Sequence, residues 1–169
     1  VMQFKAVQIT GKNAAEAKTY QLRKLHVADA KMLADFFDRL SPQTKQWFSP
    51  YPLTMAQAEA LCERVGDTAV RLVLVSPEDT IVGYFILDFS VRESELKRYG
   101  DVGIDLSEGR HLLLANSTAD ELQNTGLASS VMKALIVQLR ENDIDSLVLM
   151  GGTHTDNVLA KGFYEKFGF

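Results

Sequence analysis

The chain has 169 residues, a formal net charge of -4 and a single cysteine, with 46% apolar and 24% charged residues. That length suits one domain with its own core, and the composition is ordinary for a globular protein. Interspersed acids and bases exclude the concentrated basic face of a general nucleic-acid binder, and the lone Cys62 excludes a disulfide framework or cysteine-rich metal site. No apolar run approaches the roughly 18 to 20 residues needed to span a bilayer, and Val1–Lys5 is no signal peptide, so the expected compartment is the cytoplasm.

In chain order, Phe4–Ile9 alternates weakly as a short strand and residues 11–18 are polar, which leaves 1–19 as an N-terminal extension of uncertain role. Tyr20–Leu25 reads as a strand. Asp29 is expected to cap a helix with Met32, Leu33, Phe36, Phe37 and Leu40 on its apolar side. Ser41-Pro42 ends that helix, and an aromatic, proline-bearing loop, Trp47–Pro52, follows. Thr54 caps a further helix through Arg64, with Met55, Ala58, Leu61, Cys62 and Val65 facing inward. Ala69–Val75 and Ile81–Phe89 form an antiparallel hairpin about a proline-bearing turn. The charged run Arg92–Arg98 and the glycines at 100, 103 and 109 read as a solvated excursion.

Leu112–Ala115 is apolar in succession, as in a strand covered on both faces. A polar turn and a helix with apolar residues at 128, 131, 132, 135 and 139 follow. A helix start carries unpartnered amides and the positive end of the dipole, and Gly126 and Ala128 leave room for an anion to approach. The sequence contains neither G-x-x-x-x-G-K-[ST] nor G-x-G-x-x-G, so a P-loop nucleotidase and a Rossmann dinucleotide site are both disfavoured. Asp145–Met150 reads as another strand and Gly151–Asp156 as the loop into a final helix, where Asn157 and Tyr164, seven apart, share a face. Gly162 costs that helix about 1 kcal/mol relative to alanine, which points to close packing there.

Gln123-x-x-Gly126-x-Ala128 between strand and helix resembles the acetyl-CoA signature of the GNAT superfamily of N-acetyltransferases. A second match follows about thirty residues on, where Asn157-x-x-Ala160-x-x-Phe163-Tyr164 leads to Gly168-Phe169. The resemblance covers the chain from about Tyr20 onward. It implies one α/β (α+β) domain over 1–169, with a mixed, mostly antiparallel sheet flanked by helices. It also implies acetyl-CoA as cosubstrate, with its pyrophosphate on Gln123, Asn124, Thr125, Gly126, Leu127 and Ala128. In the family the pantetheine arm pairs with the strand backbone, here Asn116, Ser117 and Thr118. Asn157 aligns with the residue that holds pantetheine or acceptor, and Tyr164 with the tyrosine that protonates the leaving sulfur. The loop holding Trp47, Phe48 and Tyr51 corresponds to the acceptor pocket; the plainer reading is that these rings seal helices against the sheet.

Departures accompany the match. Thr118 and Asp120 stand where the family usually has valine and proline. Leu112 and Leu113 occupy the positions of the frequent glutamate base, while His111, Asp88, Asp105 and His154 lack positional warrant. Ordered water is therefore expected to take the amine's proton, an idea that loss of a basic limb near pH 6.5 on His111→Ala would overturn. The family's last strands are missing after Phe169. An incomplete sequence is the favoured account; the others are a strand at Phe4–Ile9 covering the exposed edge, or a second subunit supplying it in a homodimer. The expected activity is acetyl transfer to a primary amine of a small molecule or protein, by direct attack in a ternary complex and without a metal. The competing expectation is a silent acyl-CoA-binding or regulatory module.

Overall fold

The computed structural model describes residues 2–11, 17–64 and 68–169, so Val65 and the polar residues 12–16 lie outside the described residues. Among the described residues, one sheet holds six strands in chain order: β1 (Val7–Thr10), β2 (Thr19–Lys24), β3 (Ala69–Val75), β4 (Ile81–Asp88), β5 (His111–Thr118) and β6 (Ser146–Leu149). Neighbours from β1 to β5 are antiparallel and β5–β6 is parallel, giving the expected mixed, mostly antiparallel sheet. The weak strand at Phe4–Ile9 forms later than expected, as β1, and pairs with β2 at the edge opposite β6. It therefore cannot cover the β6 edge.

Six α-helices, besides two short 3-10 turns at Val27–Asp29 and Asp120–Leu122, complete the described fold: α1 (Ala30–Arg39), α2 (Pro42–Trp47), α3 (Met55–Glu63), α4 (Glu93–Gly100), α5 (Leu127–Glu141) and α6 (Val158–Lys166). None is long and apolar enough to cross a membrane. Strand β4 is buried on both faces from Ile81 through Leu87, which matches its unbroken apolar run. Phe37 of α1 and Phe48 pack edge-on against Tyr84, at ring-centroid distances of 5.8 and 6.2 Å, and so mark one face of the sheet. Tyr84 pairs with Ser117, so Asn116 projects from the other face, where α6 reaches it through Tyr164. Phe36, Phe37 and Leu33 are wholly buried, each contributing about 1.5–3 kcal/mol of apolar burial.

Two segments differ from expectation in kind. Residues 42–47 are helical because Ser41 accepts a hydrogen bond from the Thr44 amide and Pro42 sits in the first turn, where its missing N–H costs nothing. The charged run at 92–98 is also a helix, α4, not a solvated loop. Leu96 and Tyr99 pack with Leu106 over Leu113 and Val148, and the buried Glu95 accepts from the Gly151 amide at 2.9 Å and pairs with Arg98. A charge with two partners can be buried, and periodicity alone counts it as solvent-facing. Asp29 occupies the expected N-cap of α1, yet its carboxylate turns back to Arg23 and the His26 amide rather than capping the helix.

Candidate active site

Strands β5 and β6 pair only from His111 to Leu114 opposite Ser146 to Leu149, with one further bond from the Met150 amide to the Leu114 carbonyl. Beyond that point β5 runs on with β4 alone to Thr118. The Ala119 amide donates to the Val82 carbonyl, which fixes the ladder's alternation: 119, 117 and 115 bond to β4, while the Asn116 and Thr118 amides face the gap left by β6. A cleft of about 590 Å³ opens there, walled by α2, β5, the start of α5, the 150–154 loop and α6.

At the cleft's edge, α5 begins on Gly126 without a side-chain cap, whereas α2, α3 and α6 are capped by Ser41, Thr54 and Asn157. Gly126 has φ +83°, a conformation glycine adopts freely, and a Cβ there would meet nothing within 4 Å. Asn124 is also left-handed at φ +58°. The uncapped turn thus presents amides and the positive end of a 15-residue helix to open space. Lys166 adds a cation, its Nζ donating to Ser129 Oγ in the same first turn at 2.8 Å.

The structure gathers most of the expected site residues. Trp47 and Phe48 line the cleft on one side, and Asn116, Ser117 and Thr118 form its strand wall. Gln123, Asn124, Gly126 and Ala128 rim it at the helix start, with Asn157 and Tyr164 opposite. Three expected residues turn their side chains elsewhere. Tyr51 shares a hydrogen bond with Tyr84 in the core, and burial pushes its phenol up to about 12. Thr125 Oγ1 donates to the Leu122 carbonyl at 2.6 Å, and Leu127 is buried in the core, so neither is among the residues lining the cleft. Gly162 lines the cleft and a Cβ there would meet nothing within 4 Å, so open space, not close packing, accounts for it.

The half-buried Tyr164 donates its hydroxyl hydrogen to Asn116 Oδ1, and burial pushes its pKa up to about 12. Among the other titratable candidates, His111 is held at the far end of β5 by Ser146 Oγ and the Glu108 carbonyl. Asp88 accepts from the Ser90 amide and Asp105 from Ser107, both away from the cleft. His154 lines the cleft, exposed, with Nδ1 accepting from the Asp156 amide at 3.3 Å. Thr44 and Asp120 organise the site without having been expected there. In the sequence Ser41-Pro42 reads only as the end of the preceding helix, and nothing local points to the aspartate, 76 residues beyond Thr44, that binds this turn.

A family model described as "Acetyltransferase (GNAT) family" matches residues 33–169. The solved GNAT domain of S. lividans PAT superposes with a TM-score of 0.70 at 16% identity, over 96% of this chain and 86% of that one. A ribosomal-protein-S5-alanine acetyltransferase from Vibrio fischeri gives 0.65 at 16% identity, over 95% and 82%. AAC(6')-Iy, solved with the bisubstrate analogue CoA-S-monomethyl-acetylneamine, gives 0.59 at 13% identity, over 89% and 90%. No curated protein matches.

Proposed function

The chain belongs to the GNAT acetyltransferase family, and from that premise we propose that it transfers an acetyl group from acetyl-CoA to a primary amine by direct attack in a ternary complex. The observation that carries this reading is the meeting, in one cleft, of an uncapped helix start, two outward strand amides and a protonated tyrosine. These features fit the cosubstrate chemically. Pyrophosphate needs donors and positive potential, which the amides of residues 124–128 and Lys166 offer. An amide-bearing arm needs a strand edge, which Asn116–Thr118 offers. Two neighbours support the assignment: one was solved with a CoA bisubstrate analogue, and another is described as an alanine acetyltransferase.

When bound, acetyl-CoA supplies a thioester carbonyl and a thiolate leaving group. The Asn116 amide is the donor that would hold the carbonyl oxygen as it gains charge, while the Thr118 amide, about 7 Å further along the same edge, would pair with the arm. Trp47 and Phe48 would receive the acceptor, orienting its amine and excluding water from the apolar side. Tyr164, protonated at neutral pH, would turn its one hydroxyl hydrogen from Asn116 Oδ1 to the departing sulfur. Water in the open cleft would take the amine's proton.

The test pairs a thermal-shift titration with turnover. Acetyl-CoA at 100 times its Kd should stabilise the fold by about 2.7 kcal/mol. Gly126→Glu, which puts a side chain and a negative charge on the anion site, should abolish that gain. CoA release with a panel of amines then separates a transferase from a silent acyl-CoA-binding module, which would bind and release nothing.

A further inference from the structure

The two walls of the cleft are tied by one carboxylate. Asp120 follows β5, at the head of the turn that becomes the proposed cofactor loop, and it accepts three hydrogen bonds from the start of α2 on the adjoining wall. The Ser41 amide donates at 2.9 Å, Ser41 Oγ at 2.8 Å and Thr44 Oγ1 at 2.6 Å. Gln123 closes the circuit from the same loop, its Nε2 donating to Thr44 Oγ1 at 3.3 Å and to the Thr118 carbonyl at 3.1 Å. Every donor has an acceptor: Ser41 Oγ also caps the Thr44 amide, and Thr44 is buried. Burial alone would raise the Asp120 pKa, but the bonds from Thr44 and Ser41 outweigh it and keep the carboxylate charged.

Helix α2 ends in Trp47 and is followed by Phe48, the two aromatic residues lining the cleft on that side. A six-residue helix has little rigidity of its own; Phe48, packed on Tyr84, holds its far end, so the placement of Trp47 between them depends on what anchors the first turn. We propose that Asp120 is a positioning residue that fastens the acceptor wall to the cofactor loop, so that filling the loop fixes Trp47. The proposal rests on the acetyl-CoA reading above. Asparagine at this position would offer one acceptor oxygen and turn an NH2 toward donors, which breaks the tie with almost no change of shape.

Trp47 is the only tryptophan in the sequence, so its fluorescence reports this wall alone. Acrylamide quenching of Trp47 is measured with and without saturating acetyl-CoA, and acetyl-CoA affinity is measured separately by calorimetry. In the wild type, acetyl-CoA should lower the quenching. In Asp120→Asn that protection should vanish while the acetyl-CoA Kd stays within about threefold. Thr44→Val should also lose the protection and Thr44→Ser should restore it, a rescue that decides the matter if Asp120→Asn fails to fold. Protection that persists in the folded variants overturns the tie and leaves the acetyl-CoA reading standing. No calorimetric binding to the wild type overturns both.

Discussion

At Gly162 the needs of α6 and of the cleft oppose each other. An alanine there would meet nothing within 4 Å and should stabilise the free protein by about 0.5–1 kcal/mol, yet its methyl would enter the space proposed for the cofactor. Gly162→Ala should therefore unfold later in urea while binding acetyl-CoA about tenfold more weakly by calorimetry. Tyr164→Phe removes one hydroxyl from the same helix; kcat should fall about 100-fold with acetyl-CoA affinity little changed, the pattern of a lost proton donor. A proportionate loss of binding instead would make Tyr164 an anchor. Asp29 gives a prediction in pH. Burial pushes its carboxyl up, but Arg23 and the His26 amide together bring it below the usual aspartate value. A depressed folded value means that the ionised pair contributes fully above the unfolded value of about 3.9 and is lost as pH falls through the lower folded one. Asp29→Ala leaves Arg23 without that partner and should cost about 3 kcal/mol at neutral pH, and the gap to the wild type should narrow as the pH falls.

Helix α5 does two unrelated jobs, one at each end. Its N-terminus opens on the cleft, while its C-terminal half holds the chain's first residues by their backbone. The Lys5 amide donates to Gln138 Oε1 at 2.7 Å and Gln138 Nε2 returns a bond to the Lys5 carbonyl at 2.8 Å. Asn142, one turn on, repeats the pattern with Gln3 at 2.8 and 3.0 Å. Two amide side chains thus read alternate residues of an extended segment as a neighbouring strand would. Gln138 is 5% exposed, so Gln138→Ala should cost about 2 kcal/mol and speed amide exchange at Lys5. Asn142→Ala, near the surface, should cost less. This clamp was illegible in the sequence, because a glutamine on an otherwise amphipathic helix looks like a solvent residue. The elements that were legible, β2 through β5 and α5, each carry apolar periodicity of their own. Likewise the helix start at Gly126 and the shared face of Asn157 and Tyr164 are short-range geometry, legible in local pattern, whereas the roles expected of Gly126 and Tyr164 come from the family resemblance. What escaped depended on distant partners: the buried Glu95 on Gly151, the turned-in Tyr51 on Tyr84, and Asp120 on Thr44.

Across the whole molecule, stability should fall from the first helices toward the last. Strands β3 and β4 and helix α1 share the main core, with Leu72, Val73, Leu74, Leu87, Phe36 and Phe37 fully shielded. Helix α6 has no buried residue; Val158 and Leu159 are 73% and 61% exposed. Its side-chain hydrogen bonds to other elements are Tyr164 to Asn116 and Lys166 to Ser129, besides the packing of Phe163 and Phe167 on the core margin. Few buried contacts and many solvent-facing backbone bonds make a segment open by itself, well below the cost of global unfolding. In the free protein, α6 amides should therefore exchange orders of magnitude faster than those of β4. The proposed cofactor would span the strand edge, the start of α5 and the inner side of α6. Binding should slow exchange across 158–166 by as much as it slows α1, because a ligand that needs α6 closed raises the cost of opening α6 and of unfolding the whole chain by the same amount. Native-state hydrogen exchange at several acetyl-CoA concentrations reads this directly. If α6 and β4 exchange at one common rate in the free protein, the molecule opens as a single unit and α6 is no separable wall; if α6 is fast and acetyl-CoA binds without slowing it, the cofactor lies along β5 and α5 alone.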